Sequence, residues 1–331
     1  MLEEVTDAQR TLAKELLDRN MCKVEYLDSE IPLHFIIELH SKMHMASVEV
    51  KYAHTNIVSI IKDGETVFSE EEHGAFSEEQ TDRSCLSIGQ IKEFCDEVDL
   101  KQIRHLIEPQ IRCNMDIAYE GISGNYGLGI GRMIRSSYTD GVVTRMKAYA
   151  AAASEARMDG CDMPVIINSG SGNQGIASSV PVIIYAREKD ISNEKLYRAL
   201  AFSALLTIYQ KNFIGKLSAF CGAVSATCAS AAAITYMCGG TLDQIKYTID
   251  NTLANIPGII CDGAKISCAA KIASSIDAAM MAHFLAMNDK AYQAYTGIIK
   301  EDAGETISCV GYIGKVGMHQ TDKEIIKMML E

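Results

Sequence analysis

The stretch LSAFCGAVSATCASAAAITYMCGGTL, residues 217–242, runs without a single charged side chain. A span of that length is long enough to cross a bilayer, so its composition decides between a membrane segment and a buried helix. Ala, Gly, Ser, Thr and Cys dominate it, and large aliphatic residues are few. Such a helix is weakly hydrophobic, and its small side chains let neighbouring helices approach closely. The reading is a central helix buried inside a helical domain, over 217–238.

Helical spacing of apolar residues continues on both sides of it. The pattern predicts helices over 88–98, 100–118, 142–157, 196–210, 242–251, 267–286 and 322–330. Five prolines in the whole chain suit long helices, with Pro181 expected to start or kink one rather than sit inside it. The opening part reads differently. After a helix over 6–19, apolar and β-branched runs at 34–40, 46–50 and 56–61 predict strands, and Asp63-Gly64 between two apolar runs predicts a hairpin. An acidic stretch over 69–82 follows. The fold expected is α+β: a small strand-containing domain over 1–75, a linker over 76–82 and a predominantly helical domain over 83–331.

The chain has 331 residues, 48% hydrophobic and 22% charged, with net charge −12. That is the composition of a globular protein. No basic stripe exists to neutralise phosphates, which excludes nucleic acid as a partner, and the acidity argues against an anionic membrane surface. The opening MLEEVTDAQRTLAKELL has no basic segment followed by an apolar one, so a cytoplasmic protein is expected. In a reducing compartment the eleven cysteines do not read as disulfides. No CxxC pair exists, and most of these thiols read as small buried hydrophobes.

Three segments have the residue types for chemistry. Asn168-Ser169-Gly170-Ser171-Gly172-Asn173-Gln174-Gly175 precedes an apolar run, as a helix-entry loop whose free N–H groups meet an anion would. Asn173 and Gln174 add amide donors for a carboxylate, and the segment is neither GxGxxG nor GxxxxGK[ST]. Five glycines over 121–131 suggest tight packing or a flexible connector in equal measure. Pro257-Gly258-Ile259-Ile260-Cys261-Asp262-Gly263-Ala264-Lys265 reads as an exposed Cys-Asp-Gly turn at a helix start, which favours thiolate. Cys221, on the small-residue helix, lies forty positions earlier. The histidines form no evident site: His34 and His40 read as satisfied or exposed, and His54 as the better candidate for a polar contact.

Taken together, these segments resemble the bacterial and archaeal L-cysteine desulfidases, related to the α chain of iron–sulfur L-serine dehydratases. The matching stretches are His54-Thr55-Asn56-Ile57, Ser154-Glu155-Ala156-Arg157-Met158, the 169–175 loop, Leu217-Ser218-Ala219-Phe220-Cys221-Gly222, the 258–265 segment and His319-Gln320-Thr321-Asp322-Lys323-Glu324-Ile325-Ile326. The resemblance implies a lyase that removes the β-substituent of L-cysteine, giving sulfide, pyruvate and ammonia through an aminoacrylate. L-Serine dehydration is the alternative. It implies a [4Fe–4S] cluster with one open iron, no pyridoxal phosphate, and Cys221 and Cys261 as two of three cysteine ligands.

The third ligand of that family lies in an N-terminal Gly-Cys-Thr-Glu-Pro segment that this sequence lacks. The chain therefore reads as starting partway through the small domain, and a chain without the third ligand is expected to hold the cluster poorly or to lack it. The expected partners are a small amino acid and either a second copy or a chain supplying that segment; a ligand-binding remnant is the non-catalytic alternative. The resemblance also implies that Ser169, Gly170, Ser171, Gly172, Asn173 and Gln174 cradle the substrate carboxylate, with Arg157 as a bidentate partner. Lys265 is a candidate base if burial lowers its pKa.

Overall fold

The computed structural model describes residues 5–31, 33–53, 55–70, 82–215 and 218–330. The fold is α+β, and the chain divides into two compact units, one within 1–14 and 85–323, the other within 15–84 and 324–331. The expected linker at 76–82, except for Asp82, lies outside the described residues, as does His54.

In the smaller unit, β1 (Phe35–His40), β2 (Met45–Val50), β3 (Ile57–Lys62) and β4 (Glu65–Ser69) form an antiparallel meander in that order. Asp63 and Gly64 both have positive φ, 52° and 86°, as the two-residue turn matching strand twist requires. The Asp63 carboxylate accepts the N–H of Met45 at 2.9 Å and lies 2.9 Å from His44 Nδ1. His34 rests between Ser29 and Glu49, and exposed His40 lies 3.1 Å from Glu38.

The helices are α1 (Asp7–Asp18), α2 (Ile88–Glu97), α3 (Leu100–Ser123), α4 (Ile130–Ser137), α5 (Val142–Met158), α6 (Gly172–Glu188), α7 (Asn193–Ile214), α8 (Gly222–Met237), α9 (Leu242–Asn255), α10 (Cys268–Ala286), α11 (Ala303–Tyr312) and α12 (His319–Leu330), with a π-helical turn at Ile313–Gly317 between the last two. Helix α8 packs against α6, α7, α9 and α10, and nearly all of it is buried. Its hydroxyls are buried without being left unpaired, because they bond carbonyls of their own helix: Thr227 to Val224 at 2.9 Å, Ser230 to Thr227 at 2.9 Å and Thr235 to Ala231 at 3.1 Å. Among the described residues no helix is long and apolar enough to cross a membrane.

Helix α5 is the second hub, touching α3, α4, α6 and α10. The glycine-rich segment before it is packed, not a free connector. A Cβ on Gly121 would stand 2.2 Å from the carbonyl oxygen of Ala152, so only glycine lets α3 approach α5 this closely. The loop that follows donates the N–H groups of Leu128 and Ile130 to the buried Glu155 carboxylate, at 2.7 and 2.8 Å.

Three expectations need correction. Pro181 lies inside α6. The carbonyls of the turn before it draw hydroxyl donors: Ser178 and Ser179 to Gly175 at 3.1 and 2.7 Å, and Ser203 to Ser178 at 2.6 Å. Helix α8 starts at Gly222, not 217, because 218–221 is drawn into a short extended pairing. Two helices, α4 and α11, are short and lack a sustained apolar stripe in the sequence.

Candidate functional site

The site begins with that extended pairing. Phe220 and Ile260 form an isolated antiparallel bridge; the N–H of Cys221 donates to Ile259 at 2.7 Å and the N–H of Cys261 to Ala219 at 2.7 Å. The two cysteines consequently meet, and the Cys221 thiol donates a hydrogen bond to Cys261. That bond pulls the Cys261 thiol down to about 6, helped by the N–H of Gly263, while burial opposes. The same contact and burial push the Cys221 thiol up.

Cys261 is half-buried on this extended segment, not on an exposed turn at a helix start as its sequence suggested. The helix starts belong to others: Cys221 is the N-cap of α8, and Cys268 is the first residue of α10. Cations surround the thiols. Lys271 donates to the Ile260 carbonyl at 2.8 Å and also binds Asp262, so it grips both neighbours of Cys261. Lys265 and Lys271 together hold the Asp262 carboxyl down at about 2. Lys211, near the end of α7, feels both Cys261 and Cys221, and burial pushes its ammonium down.

The 169–175 loop reaches the same place. Asn168 and Ser171 exchange backbone bonds at 3.2 and 3.0 Å around Ser169 and Gly170, both at positive φ. Ser171 then caps α6, accepting the N–H of Gln174 at 3.4 Å. The N–H groups of Gly172 and Asn173, in the first turn, have no intrahelical partner. The Arg157 guanidinium lies on Gly172 and reaches Asn173 Oδ1 at 3.5 Å, and burial lowers its pKa. The Gln174 amide lies on Gly222, next to Cys221: a Cβ there would stand 2.5 Å from the amide carbon. One polar cluster thus joins Arg157, Asn173 and Gln174 to Cys221 and Cys261.

Lys265 is exposed and its ammonium is engaged by Asp262, so the burial its role as a base demanded is absent. Lys211 and Lys271 were missed by sequence reading. No motif marks a lysine near the end of an amphipathic helix, and only the pairing of residues 219–221 with 259–261 brings them to the thiols.

A model of the serine dehydratase alpha chain matches residues 3–327. The chain belongs to the serine dehydratase alpha chain family. A UPF0597 protein of Lachnoclostridium phytofermentans is 44% identical over 330 residues, spanning 100% of this chain and 79% of the relative. Those of Desulfitobacterium hafniense and Treponema denticola are each 43% identical, covering 100% of this chain and 77% and 78% of the relatives. The serine dehydratase alpha family is generally iron–sulfur associated. Two adjoining soft thiols among cations suit an anionic iron–sulfur group in kind. They fall short in number: among the described residues no third His, Cys, Asp or Glu joins a pair to form a metal-holding group.

Proposed function

We propose that this member of the serine dehydratase alpha family is an iron–sulfur lyase acting on the β-substituent of L-cysteine, with sulfide, pyruvate and ammonia as products. The observation that supports this reading is the meeting of Cys221 and Cys261 with the first turn of α6 and Arg157. A metal side and an anion side then face one small substrate.

Cys221 and Cys261 would hold a [4Fe–4S] cluster, which when bound supplies a Lewis-acidic iron for the leaving group. The chain's own residues do the rest of the positioning. The N–H groups of Gly172 and Asn173 and the Arg157 guanidinium, with Ser169, Gly170 and Ser171 shaping the turn, bind the carboxylate. Lys211 and Lys271 offset the thiolate charge, and Lys271 fixes the segment bearing Cys261. No lysine is needed as a pyridoxal phosphate anchor.

The family description favours L-serine as the alternative substrate, since only the leaving group differs. The thiolate count favours a second reading, an incomplete enzyme or ligand-binding remnant that a second copy or another chain completes. Anaerobically reconstituted protein separates these. Sulfide released from L-cysteine faster than pyruvate from L-serine supports desulfidation, the reverse ratio supports serine dehydration, and neither product supports the remnant.

A further inference from the structure

The polar cluster around Cys221 is crowded with hydrogen-bond donors: two free N–H groups on α6, the Arg157 guanidinium, and the Lys211 and Lys271 ammonium groups. Its acceptors are nearly all taken. Asn168 Oδ1 accepts from Ser169 Oγ at 2.7 Å, and Asn173 Oδ1 faces Arg157 at 3.5 Å. Asp262 is held by Lys265 and Lys271, and the Ile260 carbonyl by Lys271. Glu155, on the far side of the same turn of α5, is filled by the loop N–H groups of Leu128 and Ile130.

The Gln174 amide oxygen is left over. Gln174 is 7% exposed, and its Oε1 is buried with no hydrogen-bond partner among the described residues. A buried amide oxygen without a partner is rare and calls for an explanation. Its place is specific too. A Cβ at residue 222 would stand 2.5 Å from the amide nitrogen and 2.8 Å from Oε1, so any side chain there would displace the amide from its position beside Cys221. Gln174 is also the third residue of α6, one turn position from the free N–H groups of Gly172 and Asn173. Anion donors and the spare acceptor therefore belong to a single helical turn, on the scale of two groups attached to one carbon atom.

Resting on the reading of this cluster as an amino-acid site, we infer that Gln174 Oε1 accepts a hydrogen bond from the α-ammonium of the ligand whose carboxylate lies at Gly172, Asn173 and Arg157. Gln174 then makes the site selective for 2-amino acids over acids that lack the amine. A neutral acceptor suits the position. An amide oxygen receives an ammonium without placing a fixed negative charge beside the ligand's own carboxylate. A ligand without the amine leaves the amide as unpaired as before, which is how a buried polar group discriminates between isosteres.

The test uses L-cysteine and 3-mercaptopropionate, which differ only in the ammonium, titrated calorimetrically into the full chain under anaerobic conditions. A hydrogen bond to a charged donor is worth about tenfold to a hundredfold in affinity, so wild type should prefer L-cysteine by that factor. Gln174→Met should bring L-cysteine down to the affinity of 3-mercaptopropionate and leave the latter unchanged. Gln174→Leu, which likewise keeps the bulk without an acceptor, should do the same, so one folded variant suffices. A folded Gln174→Met or Gln174→Leu protein that keeps the preference, or a wild type without preference, would overturn the assignment. Gln174-dependent preference without lyase turnover would uphold it while refuting the elimination chemistry; turnover with a preference indifferent to Gln174 would do the opposite.

Discussion

Phe220 and Ile260, forty positions apart, pair as an isolated antiparallel bridge, and this bridge brings Cys221 and Cys261 onto one face of the site. Extended pairing of so few residues has little stability of its own. It persists because Lys271, on the first turns of α10, holds the Ile260 carbonyl and the Asp262 carboxylate.

Lys271→Met should therefore loosen the Cys261 segment. It removes the charged donor from the solvent-accessible Ile260 carbonyl, a loss of about 0.5–1.5 kcal/mol. Thermal melting should show the loss. Alkylation of Cys261 by iodoacetamide, followed by peptide mass spectrometry, should speed up relative to wild type. Unchanged melting and unchanged Cys261 reactivity would mean the clamp is ornamental.

Gly121→Ala should be among the most damaging single-methyl additions, because the new Cβ would meet a backbone carbonyl at 2.2 Å and neither helix can yield cheaply. A loss of about 3 kcal/mol, the upper range for overpacking, is expected in denaturant titration. Gly141→Ala, whose Cβ would meet nothing within 4 Å, should leave the midpoint nearly unchanged.

Much of this fold was legible from the sequence. The apolar periodicity of α2, α3, α5, α7, α9 and α10, the composition of α8 and the Asp63-Gly64 turn are local signals, and the elements appear where those signals lie. The bridge between 220 and 260 was not legible. Pairing between distant short segments depends on tertiary packing, and nothing in a run such as Pro257-Gly258-Ile259-Ile260 says what it will pair with. For the same reason the cysteines and the 169–175 loop could be named, while Lys211 and Lys271 could not.

Asp250 is buried, its Oδ1 has no partner among the described residues, and burial raises its pKa from 3.8 to about 6. Because the folded pKa lies above the unfolded one, the native state binds the extra proton between these values. The stability contributed is full below about 3.8 and is lost as pH rises through 6. Asp250→Asn should accordingly stabilise the protein at pH 7.5, by up to about 3 kcal/mol from linkage, and by nothing at pH 4. Chemical denaturation at the two pH values checks both the size and the sign; an equal effect at both would dispose of the burial argument.

His283, 2% exposed and 2.8 Å from the Thr235 hydroxyl, behaves in the opposite sense. Burial lowers its pKa from 6.5 to about 4. The unfolded chain takes up a proton between those values that the native state refuses, so stability is full above about 6.5 and falls as pH drops towards 4. In an Asp250→Asn background the acid-side loss should be seen without the opposing term, on the order of 3 kcal/mol across that window. Histidine NMR titration should find the His283 ring still neutral at pH 5, and a ring protonated there would contradict the assignment.

The most direct test of the central claim, that Cys221 and Cys261 together form the metal side of this site, is the iron and acid-labile sulfide retained per chain after anaerobic reconstitution and gel filtration. Wild type, Cys221→Ser, Cys261→Ser and the exposed-site control Cys85→Ser would be compared in parallel. The account predicts that wild type and Cys85→Ser retain iron and sulfide in matching amounts, weakly because two thiolates leave the rest of the cluster's positions open, and that both site variants lose them. Equal iron and sulfide in all four proteins would contradict it.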